Sequence, residues 1–223
     1  MTVMAIPAIA PYRVPGEDEL PASRVTWSPA PERAVLLVHD MQRYFVAPYQ
    51  RDAEPLSTVV PNIALLAERA HALGIPVVYS AQPGDQSPED RRLLSDFWGP
   101  GLRAAPEDEP IIGELAPADG DVRLTKWRYS AFQRTELRGM LRDWGRDQLL
   151  ITGIYAHMGC LMTAAEAFMQ DVEAFLVADA VADFSLEDHR MALRYAALRC
   201  AVVAPTGGVL AALERSASVC PRN

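Results

Sequence analysis

The 223-residue sequence predicts a three-layer α/β fold, with helices covering both faces of a doubly wound, mainly parallel sheet of six strands. Three observations carry that prediction. Short runs of branched apolar residues recur along the chain, each about one strand long. Stretches with helical spacing of apolar residues separate them. Polar or glycine-containing turns follow the runs, so strands and helices alternate as right-handed βαβ units. Half of the residues are hydrophobic and 22% are charged, enough to build one sizeable core.

Residues 1–33 are rich in proline and weak in periodicity, which predicts an extended N-terminal arm lying on its own domain, residues 34–223. Ala34 to Val38 is continuously apolar, as a central strand covered on both faces should be, and it runs into His39-Asp40-Met41-Gln42. Strand alternation would turn His39 away from Asp40, toward a covering helix. Pro61 to Leu73 has helical spacing and Gly74 stops it. Ile75 to Ala81 is the second strand, ending at Gln82-Pro83-Gly84. Residues 83–121 form a long Pro/Gly/Asp/Glu-rich connection, of the kind that is usually functional. Val122 to Thr125 is a short strand, followed by Lys126 to Phe132 and a helix from Thr135 to Trp144. Gln148 to Ile154 is a buried strand that turns through Tyr155 to Cys160 into a helix over Leu161 to Phe168. Ala174 to Val177 is the fifth strand. Ser185 caps the next helix with Asp188 at capping-box spacing, and that helix runs to about Arg199. Cys200 to Val203 and a helix over Gly208 to Arg215 close the chain.

Lys plus Arg number 21 against 29 Asp plus Glu, a net charge of −8. An acidic chain without a basic run argues against nucleic acid or an anionic membrane as partner. No stretch approaches the ~18–20 continuous apolar residues of a membrane span, and the N-terminus lacks the basic start of a signal peptide. Cys160, Cys200 and Cys220 are too irregularly spaced for a disulfide framework or a CxxC metal site, so a reducing, cytoplasmic setting is expected. The histidines show no metal-ligand spacing. His71 and His189 read as exposed helix positions, and His157 as a residue that shapes the turn before Cys160. GxGxxG, P-loop and GxSxG motifs are absent.

In a doubly wound sheet, ligands bind beyond the carboxyl ends of the strands. That rule selects Asp40, Gln82, Lys126 and the turn Tyr155 to Gly159. Burial at the end of an apolar strand raises a carboxyl pKa, a neighbouring ammonium lowers it, and a dianionic ligand raises it again. An Asp40 balanced in this way is suited to proton donation; the alternative is a structural Asp40–Lys126 ion pair. Lys126-Trp127-Arg128-Tyr129 suits a ring-bearing acid, although Trp127 and Arg128 fit a surface turn equally well. Trp98 reads as a lid aromatic or a loop anchor, and only one of Arg91 and Arg92 can face the site. Cys160 first suggests a nucleophile at a strand-to-helix turn.

Six segments, in order along nearly the whole chain, carry a family resemblance: Val38–Phe45 (VHDMQRYF), Ala81–Gly84 (AQPG), Asp96–Gly101 (DFWGPG), Lys126–Phe132 (KWRYSAF), Gly153–Cys160 (GIYAHMGC) and Val177–Ser185 (VADAVADFS). In these the chain resembles the isochorismatases, within the cysteine-hydrolase-like superfamily that includes nicotinamidases, and most closely the isochorismatase branch and the phenazine-pathway hydrolases. In the amidase members a catalytic cysteine lies six residues after the strand-end glycine. Counting from Gly153 reaches Gly159, so the resemblance places Cys160 in the core and implies a hydrolase without a covalent thioester. It implies Asp40, Lys126 and Gly159 as the catalytic set, with Gly159 leaving an empty place for substrate and water. Gln42, Phe45, Gln82, Arg91, Trp98, Tyr129 and Tyr155 would bind substrate. No metal or other cofactor is implied, since the zinc-binding histidines of nicotinamidases have no counterpart here. The resemblance further implies a cis peptide at Ile154–Tyr155 and a homodimer. The implied substrate is a small anionic chorismate derivative, whose enolpyruvyl vinyl ether is cleaved to release pyruvate. The free-standing layout and Arg43 favour 2-amino-2-deoxyisochorismate, giving trans-2,3-dihydro-3-hydroxyanthranilate for a secondary metabolite. The alternative is isochorismate, giving 2,3-dihydro-2,3-dihydroxybenzoate. A Cys160-dependent amidase and a non-catalytic binding protein are the rival classes.

Overall fold

Every segment with the apolar signature of a strand enters one sheet, in the order β3-β2-β1-β4-β5-β6, with all neighbours parallel. The computed structural model describes residues 6–219. Its strands are β1 (Ala34–His39), β2 (Val77–Ala81), β3 (Val122–Thr125), β4 (Gln148–Ile154), β5 (Glu173–Ala182) and β6 (Ala201–Ala204). Its helices are α1 (Arg43–Val46), α2 (Leu56–Ala72), α3 (Pro88–Arg91), α4 (Leu94–Trp98), α5 (Leu137–Asp143), α6 (Leu161–Met169), α7 (Leu186–Arg199) and α8 (Thr206–Val219). The order reverses between β1 and β4, so a crevice opens beyond the ends of those two central strands.

The alternation of β1 explains the two cores. Ala34, Leu36 and Val38 pack with Ile63 and Leu66 of α2 and Leu213 of α8 on one face. Val35 and Leu37 pack with Leu141 of α5, Leu161 of α6 and Leu193 of α7 on the other. Both sides of β1 are therefore dry, which is why its sequence lacks a polar face. Among the described residues, no helix is long and apolar enough to cross a membrane.

Several boundaries differ from the sequence expectation. Helix α2 begins at Leu56, five residues before Pro61, which lies inside it. A helical proline costs the bond to the carbonyl four residues back. Here that carbonyl belongs to Ser57, an exposed residue whose oxygen can meet solvent instead. The connection 83–121 is also more structured than a loop. Ser87 caps α3 by accepting a hydrogen bond from the Asp90 amide at 3.1 Å, and α4 follows directly. The described residues ahead of β1 run over the sheet's own helices and loops, with a 3₁₀ turn at Glu17–Glu19. Ile9 and Val14 are buried there, and the Ile9 amide donates to the Pro48 carbonyl at 2.9 Å.

Strand β5 is longer than its apolar core predicts, and it is irregular. Two steps along β4, from Ile151 to Gly153, are matched by five along β5, from Leu176 to Val181. The excess residues form an excursion that other segments hold: Asn62 donates to the Asp179 carbonyl and Asp179 accepts from Thr206. Past it, β5 resumes pairing beside Gly153 and Ile154, places Asp183 under the His157 turn and delivers Phe184 to the crevice.

Candidate active site

The crevice is built from strand ends. Asp40 leaves β1 with a positive φ of 49°, and the residue is 5% exposed. Ser80 sits opposite His39 in the β1–β2 register, and its hydroxyl donates to Asp40 Oδ1 at 2.6 Å. Lys126 follows β3, two strands from β1, and reaches past the end of β2 to donate from Nζ to Asp40 Oδ2 at 2.8 Å. Lys126 is 1% exposed, among the largest wholly buried side chains of the described residues. Gln82 Nε2 adds a long contact to the same Oδ2 at 3.4 Å. Burial pushes the Asp40 carboxyl up, but the charge of Lys126, its hydrogen bond and that of Ser80 outweigh burial and hold it below the usual carboxylate range.

The residues expected to bind substrate all line this pocket except one. Tyr155 is buried against Phe184 with ring centroids 4.3 Å apart, and its hydroxyl donates to the Phe45 carbonyl at 2.7 Å. Trp98 Nε1 donates to the Tyr129 hydroxyl at 2.7 Å, which draws the α3–α4 connection over the mouth as a lid. Arg91, not Arg92, turns inward: Arg91 is buried, with its guanidinium bonded to the carbonyls of Gly99 and Trp98, whereas Arg92 is exposed. A Cβ on Gly101 would lie 2.4 Å from that guanidinium, so the glycine clears its path.

Gln42 is the exception. It is fully buried outside the pocket, where its Nε2 donates to the carbonyls of Gln82 at 2.8 Å and Glu109 at 2.7 Å. Its Oε1 accepts from the Gln82 amide at 2.7 Å. Its amide is spent on backbone, so it ties the end of β2 to the 83–121 connection and is not placed to bind substrate. Trp127 and Arg128 also stay off the pocket; Trp127 lies under the Arg134 guanidinium and Arg128 donates to the Asp90 carbonyl at 2.8 Å. Met158 lines the pocket within the selected Tyr155–Gly159 turn, whereas Phe184, Tyr44 and Ser80 were not anticipated. Only Ser80 leaves a trace in the sequence, as the polar residue breaking the apolar β2 run one step before its end.

The Ile154–Tyr155 peptide is cis, as the resemblance implies. Beyond it Ala156–Cys160 forms one π-helical turn that leads into α6. Asp183 secures this turn, accepting from the His157 amide and from His157 Nδ1, both at 2.6 Å. Burial would lower the His157 pKa, but the hydrogen bond and charge of Asp183 outweigh it and raise it. The Asp183 amide in turn donates to the Tyr12 hydroxyl at 2.7 Å. His189 is buried, contrary to its expected exposure, because it packs under the arm between Tyr12 and the Ala178 carbonyl. His71 is exposed as expected.

With this geometry in place, the comparisons with known proteins are decisive. The Isochorismatase domain family model matches residues 34–207. The chain belongs to the isochorismatase family. It is 59% identical to the isochorismatase of Bacillus subtilis (strain 168) over 96% of this chain and 68% of that protein. It is 51% identical to the phenazine biosynthesis protein PhzD of Pseudomonas fluorescens, over 92% of this chain and 98% of that one. The solved structure of an isochorismatase family protein from Burkholderia thailandensis superposes with a TM-score of 0.71 at 27% identity, covering 84% of this chain and all of that one (100%). The chain is thus an isochorismatase-type hydrolase with the parallel α/β sheet of that family.

Within the isochorismatase frame, two expectations about the central turn change. Cys160 is wholly buried with Sγ 3.8 Å from the Thr152 carbonyl, and burial pushes its thiol well up; the geometry suits a core residue and not a nucleophile. The place beside Gly159 is not empty, however. A Cβ built on Gly159 would lie 2.1 Å from Cε1 of His39, so the imidazole fills that space. His39 therefore packs on the helical turn Ala156–Cys160 that leads into α6, as its alternation along β1 expects, and its ring also lines the pocket. The ring follows Val35 and Leu37 onto the face that carries Ala156 and Cys160, so the alternation of β1 holds through its last residue.

Proposed function

We propose that the chain hydrolyses the enolpyruvyl vinyl ether of isochorismate, releasing pyruvate and 2,3-dihydro-2,3-dihydroxybenzoate, with Asp40 as proton donor. The observation that carries this reading is the buried Asp40–Lys126 pair, 2.8 Å apart at the floor of a pocket that also holds Arg91. An anionic substrate in this pocket offsets the pull of Lys126 and raises the Asp40 pKa toward the protonated form. Asp40 then gives its proton to the terminal methylene carbon, and the ether carbon becomes an oxocarbenium ion. Water adds to that carbon and returns a proton to the Asp40 carboxylate. The resulting hemiketal gives up its hydroxyl proton as the bond to the ether oxygen breaks, that oxygen gains a proton in exchange, and pyruvate and the ring alcohol are released. Lys126 and Arg91 supply positive charge for the carboxylates, and the Tyr155, Phe184 and Trp98 rings wall off solvent.

The second reading is 2-amino-2-deoxyisochorismate, which Arg43 and the resemblance to the phenazine-pathway hydrolases favour, and the 51% identity to a phenazine biosynthesis protein is in keeping with it. Two observations move isochorismate ahead of it. The relative named for that substrate shares more of the sequence, 59% against 51%. Asp40 is also the sole carboxylate lining the pocket among the described residues, and it is taken up by Lys126 and Ser80, which leaves no free acid for an ammonium group. Pyruvate release measured side by side on isochorismate, the 2-amino-2-deoxy compound and chorismate should give the highest kcat/KM on isochorismate. A higher value on the amino compound reverses the order of the readings, and no pyruvate from any of them ends both. Asp40→Ala should lose about 10²- to 10⁴-fold in kcat while still binding ligand; wild-type turnover by that variant removes the proton-donor role.

A further inference from the structure

The pocket holds a buried imidazole that the proton-transfer reading leaves unused. The His39 ring is completely enclosed. Nδ1 lies 3.0 Å from the Ile154 carbonyl and Nε2 lies 3.3 Å from the Tyr129 carbonyl. A neutral imidazole carries one N–H, and the shorter contact assigns it to Nδ1, donating to Ile154. Those two carbonyls belong to the two segments that shape the pocket, one leading into Tyr155 and the other carrying Lys126 and Tyr129. The same Nδ1 stands 3.7 Å from Asp40 Oδ1. The ring thus touches the three parts of the site that must be held in register.

The ring also has nowhere to go. Its far edge meets Gly159, where an added Cβ would fall 2.1 Å from Cε1, 2.7 Å from Nε2 and 2.8 Å from Nδ1. The backbone that carries it is equally confined, because a Cβ on Gly153 would lie 2.1 Å from the His39 carbonyl oxygen. An imidazole anchored through its Nδ1–H to the Ile154 carbonyl and seated on close-packed backbone does not swing aside to admit a side chain.

We propose that His39 and Gly159 are a matched pair that sets the type of reaction this pocket can perform, with His39 as the positioning residue for Asp40. The ring takes the volume that any nucleophilic side chain at position 159 would need, and from there it donates to the Ile154 carbonyl and packs against Asp40, whose Oδ1 lies 3.7 Å from the same nitrogen. This rests on the vinyl ether reading, in which the site works by proton transfer and needs no nucleophile from the protein. A thiol at 159 is compatible with this backbone only when residue 39 is small, and a small residue at 39 leaves Asp40 loosely held.

Four variants test the pair: Gly159→Cys, His39→Ala with Gly159→Cys, His39→Ala, and His39→Asn. Thermal unfolding and alkylation by iodoacetamide report on space, with wild type as the baseline for its own cysteines. Gly159→Cys should unfold about 5 °C or more below wild type, an overpacking effect. The double variant should recover part of that loss and gain one rapidly alkylated thiol. Pyruvate release reports on positioning: His39→Ala should lose at least about tenfold in kcat with KM changed less than about threefold. His39→Asn, which keeps a donor near the Nδ1 position, should regain part of it. A Gly159→Cys protein as stable as wild type, or a double variant less stable than Gly159→Cys, overturns the pairing. Wild-type kcat in His39→Ala overturns the positioning role. Absence of pyruvate from the wild-type protein would sink the vinyl ether reading alone, because the unfolding and alkylation results do not depend on substrate.

Discussion

The two halves of the pocket are built on different terms. On the strand side, Asp40, Ser80, Lys126 and His39 are all buried, and each sits at or one residue beyond a strand whose register the sheet dictates. On the lid side, α3 and α4 present Arg91 and Trp98 inward while Phe97, 71% exposed, faces out. The lid is tied down by a few polar contacts: Trp98 to Tyr129 at 2.7 Å, Arg128 to the Asp90 carbonyl at 2.8 Å, and Arg134 to Asp90 Oδ1 at 2.8 Å. Proton transfer needs fixed geometry, and the sheet supplies it. Substrate entry needs a part that yields, and a short helical connection on side-chain ties supplies that. Damage to the first half should therefore fall on kcat and stability, and damage to the second on KM.

The largest effect is expected on the strand side. Lys126→Met leaves Asp40 buried without its counter-charge, at a cost on the order of 3–5 kcal/mol near neutral pH. The sign of the pH effect follows from the direction in which Lys126 acts. With Lys126 gone the Asp40 pKa rises, the carboxyl stays protonated to higher pH, and the basic limb of kcat/KM should move upward. Stability should respond in the matching sense. In the wild type, a depressed Asp40 pKa stabilises the fold above the pKa of the unfolded chain, and that contribution is lost as pH falls through the folded value. The variant should lack this acid-side loss. Denaturant titrations across pH and a kcat/KM profile check both, and an unmoved basic limb would mean that Lys126 does not control Asp40.

A smaller effect should follow from loosening the lid. Trp98→Phe keeps an aromatic ring but removes the bond to the Tyr129 hydroxyl, worth about 1 kcal/mol. KM should rise about fivefold with kcat held within about twofold, and a kcat loss larger than the KM change would dissolve the contrast between the halves. Smallest of all is Arg134→Ala, which removes an exposed tie to Asp90; steady-state constants should stay within about twofold and depend little on salt. A tenfold change there would make the exposed latch a main determinant of closure.

The difference between the halves also decided what the sequence could disclose. Asp40 and Lys126 are legible because strand ends are legible: an apolar run stops, and the next polar residue stands at the crevice. Arg91 and Trp98 are legible as types, while the choice of Arg91 over Arg92 waits on where a short helix ends and a residue with φ of 51° begins. Gln42 misleads because it lies in the same motif as Asp40, yet its burial commits the amide to the backbone of Gln82 and Glu109. His39 is legible in direction but not in consequence: alternation turns it to the helix side, and only the fold shows that the helical turn it meets there is the Gly159 turn of the pocket. Phe184 is invisible because the excursion in β5 breaks the count that would have placed it.

That excursion has a consequence for how this chain tolerates change. The path from Leu176 to Val181 works as a spacer of fixed length: it takes five steps where the neighbouring strand takes two, and this surplus sets where Asp183 and Phe184 stand. Losing or adding a single residue there would turn every later side chain of β5 to the opposite face. Asp183 would release His157 and Tyr12 together, and the Phe184 ring would leave Tyr155. A conservative substitution in this stretch can be absorbed by its own surroundings, whereas a one-residue change in its length would be felt on the far side of the pocket.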